Sequence, residues 1–161
     1  MIKNVAEFYT QDWRNKSKKR TIRNVYRRDF NCAGYALDTQ NWYCPYETDW
    51  RGEELFSYFR CSSITEEERL MEVVNNMLSD FKNELRIIND FSELQEDEYA
   101  ILFKCGHDDF HYVKRGKNGH FFHKRGSGWY IERMSKEEAL GDTWCNGQYY
   151  SRTVIFAKKI K

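Results

Sequence analysis

His111-Tyr112-Val113-Lys114-Arg115-Gly116-Lys117-Asn118-Gly119-His120-Phe121-Phe122-His123 reads as a β-hairpin with a histidine on each arm. The glycines of Gly116-Lys117-Asn118-Gly119 supply the positive φ that a tight connection needs. A three-residue connection closing Arg115 on Gly119 sets His111 directly opposite His123, both rings on one face. A two- or four-residue connection slips the register by one and sends the rings to opposite faces. Juxtaposed imidazoles therefore require an odd connection or a compensating bulge.

The hairpin is flanked by other strand-length runs. Residues 85–88 and 99–104 (YAILFK) precede it, and residues 151–158 (SRTVIFAK) return as a last strand. With 110–115 and 120–124 this predicts a mainly antiparallel sheet of about five strands. Upstream lies the clearest helix, with Leu70, Val73, Val74, Met77, Leu78 and Phe81 at the spacing of one apolar face. Ser63-x-x-Glu66 is its expected capping box. Residues 135–140 suit one or two helical turns, with Ser135 as cap and Gly141 as stop. Strands follow helices in blocks, which indicates an α+β fold.

The chain has 161 residues, 40% hydrophobic and 17% aromatic, so a single domain over 1–161 with one core is expected. A net charge of +1 gives no overall bias toward polyanions. Five cysteines with no CxxC pair, and no apolar run of membrane-spanning length, point to free thiols in a reducing, cytoplasmic setting.

The chemistry centres on Phe30-Asn31-Cys32-Ala33-Gly34-Tyr35-Ala36. Asp29 and Asn31 are both competent N-caps for a helix over 31–39, and the small Ala33 and Ala36 let it approach other backbone. Cys32 then falls in the first turn, where unpaired N–H groups favour thiolate over thiol. A thiol at a helix tip and imidazoles on a neighbouring sheet are the parts of a cysteine hydrolase or acyl transferase. In that scheme His111 takes the Cys32 proton and His123 fixes the tautomer of His111. Backbone N–H groups at the helix start would hold the oxyanion, with Tyr26 as a weaker further donor. Asn31 reads as a cap before it reads as a catalytic group. The same region is rich in metal donors (His107, His111, His120, His123, Cys105, Asp108, Asp109), but zinc-ligand spacing is missing, and neither metal nor cofactor is expected.

Residues 1–28 form a basic approach to the Cys32 helix. Arg14, Lys16, Lys18, Lys19, Arg20, Arg23, Arg27 and Arg28 include no acidic neighbour between 14 and 28. They suit a contact surface for nucleic acid or an acidic protein, or a solvated lead-in. The aromatic stretch 41–59 (NWYCPYETDWRGEELFSYF) suits the wall of a cleft or core padding. Together they motivate a second function class, a non-catalytic binding protein.

The Phe30–Ala36 motif resembles the cysteine motif of the NlpC/P60 peptidases of the papain-like superfamily, where the pattern runs Phe-Asp-Cys-Ser-Gly. The His111–His123 spacing is similar to that family's strand pair of catalytic and orienting histidines. The resemblance implies a papain-like α+β fold, a Cys32–His111–His123 triad and a protein or peptide substrate. Asn31 and Ala33 replace the family's Asp and Ser, which weakens peptidoglycan as the substrate. The family's Tyr-x-Trp-Gly-Gly stretch is also missing. Asn31-Cys32-Ala33-Gly34-Tyr35-Ala36-Leu37, with Asp109-Phe110-His111 and His123-Lys124-Arg125-Gly126, further resembles a group of small phage and prophage proteins. That implies work inside an infected bacterium, on a host component or as an anti-CRISPR-like inhibitor.

Overall fold

The computed structural model describes residues 30–39, 43, 45, 65–107, 109–125 and 131–161. The basic set Arg14, Lys16, Lys18, Lys19, Arg20, Arg23, Arg27 and Arg28, together with Tyr26, Asp29, Ser63 and nearly all of 41–59, lies outside the described residues. The fold is α+β. Helix α1 (Cys32–Ala36) and helix α2 (Glu66–Asp80) precede strands β1 (Leu85–Ile88), β2 (Glu98–Cys105), β3 (Phe110–Arg115), β4 (Phe121–Lys124) and β5 (Ile131–Met134). The short α3 (Lys136–Ala139) and strand β6 (Val154–Lys159) complete it. Among the described residues no helix is long and apolar enough to cross a membrane.

The sheet has six strands in the order β1-β6-β2-β3-β4-β5, every pair antiparallel. The expectation of five misses β5. Its sequence, Ile-Glu-Arg-Met, buries only its two ends, so it lacks the alternation by which strands are recognised. It is also an edge strand, paired on one side only, where charged residues are ordinary.

Both faces of the sheet are covered, which explains the unbroken apolar run of β2 between β6 and β3. On one face α1 and α2 bury Cys32, Ala33, Ala36, Leu70, Val73 and Met77 against Ile101, Phe103, Tyr112 and Phe156. On the other, Leu102, Val113, Phe121 and Met134 pack with Ala139, Trp144 and Tyr149.

The capping box of α2 sits two residues later than Ser63 would place it. Thr65 accepts from the N–H of Glu68 at 3.1 Å, and the Glu68 carboxylate accepts from the Thr65 N–H at 3.3 Å. The run Glu66-Glu67-Glu68 lets either register satisfy the motif, and the helix starts where the second one fits.

Candidate active site

The hairpin connection is odd, as juxtaposed histidines require, but it closes one residue further along each arm of the turn than expected. Arg115 pairs with Phe121 and Lys114 with Phe122. The Gly116 N–H donates to the His120 carbonyl at 2.8 Å, and Gly119 turns the chain at φ 81°. Carried down the ladder, this register sets His123 against Val113 and puts His111 on the diagonal. Same-face diagonal neighbours are within reach of long or aromatic side chains, and the two rings meet edge to face. His111 Nε2 and His123 Nδ1 lie 2.9 Å apart.

The pair is held from three directions. The Tyr149 ring stacks on His111 at 4.9 Å and 16°, and its hydroxyl donates to Asp109 at 3.1 Å. The fully buried Trp144 stands edge-on to His111 at 6.2 Å. The Trp144–Tyr149 turn is pressed on the sheet by the bridge between Gly106 and Tyr149. Gly106 is required there, because a methyl at that position would run into the Gln148 carbonyl. From the third side Glu132, the cross-strand partner of His123, brings a carboxylate oxygen within 3.7 Å of His123 Nε2. Arg125 holds the same oxygen at 3.1 Å.

The bond between the imidazoles admits two tautomer assignments. In the one with His123 Nε2–H toward Glu132, 3.7 Å away, neutral His123 presents Nδ1 as an acceptor. In that assignment His111 carries its proton on Nε2, which leaves a lone pair on Nδ1. Among the described residues no hydrogen bond occupies that nitrogen. Glu132 escapes a sequence reading because its role depends on β5.

Cys32 opens α1 on the helical face of the sheet and is 3% exposed. Asn31 is its N-cap, with Oδ1 accepting from Gly34 N–H at 2.9 Å and Tyr43 N–H at 3.2 Å. Asn31 Nδ2 donates to the Tyr43 carbonyl at 2.7 Å. The amide is thus committed to bracing the helix start. At the other end Tyr99 donates to the Ala36 carbonyl at 2.7 Å.

Phe110, Tyr112 and Lys114 of β3 face α1, whereas His111 and Val113 face Trp144 and Tyr149. The sulfur and the imidazoles therefore approach from opposite faces, where the paired register of β3 and β4 ends. No hydrogen bond joins Cys32 to either imidazole among the described residues.

The expected thiolate is not the resting state. Burial pushes the Cys32 thiol up to about 12, and the Asp109 carboxylate adds to the rise. The N–H groups of Tyr112 and Ala33 and the Lys124 ammonium only partly offset this. A five-residue helix has a small dipole, and desolvation wins. Burial likewise holds His111 well below the usual histidine value, with His123 and Arg125 adding to the drop. His123 is lowered by burial, against the pull of Glu132.

These shifts predict an acid-sensitive fold. An unfolded histidine takes up a proton near 6.5, which the buried pair refuses until a lower pH. Below about 6.5 the unfolded chain binds more protons, so stability falls as pH drops toward the folded-state values. Urea midpoints measured from pH 7.5 down to 5 should fall more steeply for the natural chain than for His111→Gln. Parallel curves would contradict the burial of a neutral pair.

Among the described residues the wider donor set does not gather; Asp108 lies outside them. His107 is exposed, His120 meets Arg133 at 2.6 Å, and Cys105 packs on the helical face. Instead the half-buried Cys145, whose backbone N–H donates to Glu138 at 2.8 Å, joins His111 and His123. Cys145 sits at φ 54° in a turn that also bends through Asn146 and Gly147, an Asn-Gly pair that marks a turn but not which side chains it brings to the histidines. In comparisons with known proteins, no family model, curated protein or solved structure matches the chain.

Proposed function

We propose that the chain is a papain-like cysteine hydrolase or acyl transferase, acting on an amide, isopeptide or thioester of a protein or peptide. The observation that carries this is the 2.9 Å bond between His111 Nε2 and His123 Nδ1. In the tautomer with the proton on His111 Nε2, it leaves a basic Nδ1 on the residue next to Tyr112, whose N–H lowers the Cys32 thiol's pKa against its burial. Because the thiol rests protonated, His111 acts as a general base at the moment of attack. The Cys32 proton moves to His111 Nδ1 and sulfur bonds to the substrate carbonyl carbon. Backbone N–H groups at the start of α1 receive the oxyanion. His111 then returns the proton to the leaving amine or thiol. Water, or an acceptor amine, gives a proton to His111, attacks the thioester and restores the thiol. The NlpC/P60 and phage resemblances agree with this chemistry and with a host component as substrate.

A non-catalytic inhibitor acting through the basic stretch 14–28 is the rival, favoured by the protonated state of Cys32. Iodoacetamide labelling with peptide mapping separates the two. Selective modification of Cys32 at neutral pH is expected, with loss of biological activity in Cys32→Ser. Equal, slow labelling of all five cysteines, with activity retained in Cys32→Ser and lost on charge reversal of Lys18, Lys19 and Arg20, would establish the inhibitor.

A further inference from the structure

We infer that His111, His123 and Cys145 form a binding site for a thiophilic divalent cation, zinc foremost, which switches the histidine pair off. The binding itself is independent of the hydrolase reading; only the consequence for Cys32 rests on it. Ligand atoms of the three residues all lie within 4.8 Å of one another. Tetrahedral zinc, with its usual bond lengths to nitrogen and sulfur, separates ligand nitrogens by about 3.4 Å and nitrogen from sulfur by about 3.6 Å. The facing imidazole nitrogens, now 2.9 Å apart, need to part only slightly to admit it.

The surroundings match a metal site beyond the three donors. A zinc-bound histidine ordinarily directs its second ring N–H at a carboxylate, which fixes the ring and raises its basicity. With His123 binding through Nδ1, Nε2–H already faces Glu132 at 3.7 Å. Cys145 is half-buried, on a turn that packs against the core, so it is not sealed off as Cys32 is. Two histidines and a thiolate leave the fourth position for water or a substrate atom.

Proton bookkeeping gives the consequence. To bind through Nε2, His111 must move its proton to Nδ1, and Cys145 must release its thiol proton to solvent. One proton leaves per cation bound, so affinity rises with pH. His111 Nδ1 then carries a proton and can no longer accept one from Cys32. The cation therefore removes the base without touching the nucleophile.

Cobalt titration of the full chain tests this. A single thiolate-to-cobalt absorption band at one equivalent is expected, unchanged in Cys32→Ser and abolished in Cys145→Ser of unchanged urea midpoint. Glu132→Gln should weaken binding by about tenfold through loss of the orienting carboxylate. No band in the natural chain, or a band that survives Cys145→Ser, overturns the site. Zinc should also slow alkylation of Cys32 in the natural chain and not in Cys145→Ser. A cobalt band that depends on Cys145, with Cys32 alkylation indifferent to zinc, would retain the site and refute the switch.

Discussion

Replacing His111 with alanine is expected to slow alkylation of Cys32 by about 10²- to 10⁴-fold at neutral pH, the usual worth of a positioned general base. The pH profile carries the sharper test. A thiol held near 12 would, unaided, react in proportion to its thiolate and gain about tenfold per pH unit. With His111 as base, the rate instead rises through the depressed imidazole pKa and stays flat through neutrality. His111→Ala should convert the plateau into the slope. His123 is a positioning residue, and its conservative variant separates that role from packing. The amide oxygen of His123→Gln can still accept the His111 Nε2–H, so the plateau should persist, whereas His123→Ala should lose it. Identical profiles for the natural chain and His111→Ala would remove His111 from the chemistry.

Trp144→Ala should cost about 3–5 kcal/mol, the range for a large aromatic emptied from a core. Its side chain is fully buried, and its indole N–H donates to the Ala139 carbonyl at 3.1 Å. It also fills the space between Leu102, Val113 and Met134 and stands under the Lys104 ammonium at 5.4 Å. Truncation leaves a cavity and an orphaned carbonyl together. Trp144→Phe should recover the apolar share and leave the hydrogen bond lost. Urea unfolding with an unchanged slope reads both. A loss under about 1 kcal/mol for Trp144→Ala would show that the turn over His111 is not anchored by this residue.

The elements that could be read from sequence are those in which a single physical rule dominates. The α2 helix has four buried apolar residues at helical spacing, and β2 carries an unbroken apolar run over 99–103 because both its faces are covered. The turn glycines mark the hairpin, while neither its parity nor its closing pair follows from them. What escaped depends on long-range partners. Strand β5 shows no alternation, and without it Glu132 has no neighbour. The Trp144–Tyr149 turn takes positive φ at Cys145 and Asn146; the Asn146-Gly147 pair marks a turn but does not tell that it folds over His111. The Cys32 thiol departs from its local signal for a related reason. A helix start can be read locally, but the burial that outweighs it is made by β3 and β4.

Histidine nitrogen NMR before and after carboxamidomethylation of Cys32 is the most direct test that the sulfur and the imidazole pair share one site. His111 should appear as the Nε2–H tautomer with an unprotonated Nδ1, and that Nδ1 resonance should shift when the sulfur is alkylated. An Nδ1–H tautomer, or an Nδ1 resonance indifferent to the modified sulfur, would contradict the site.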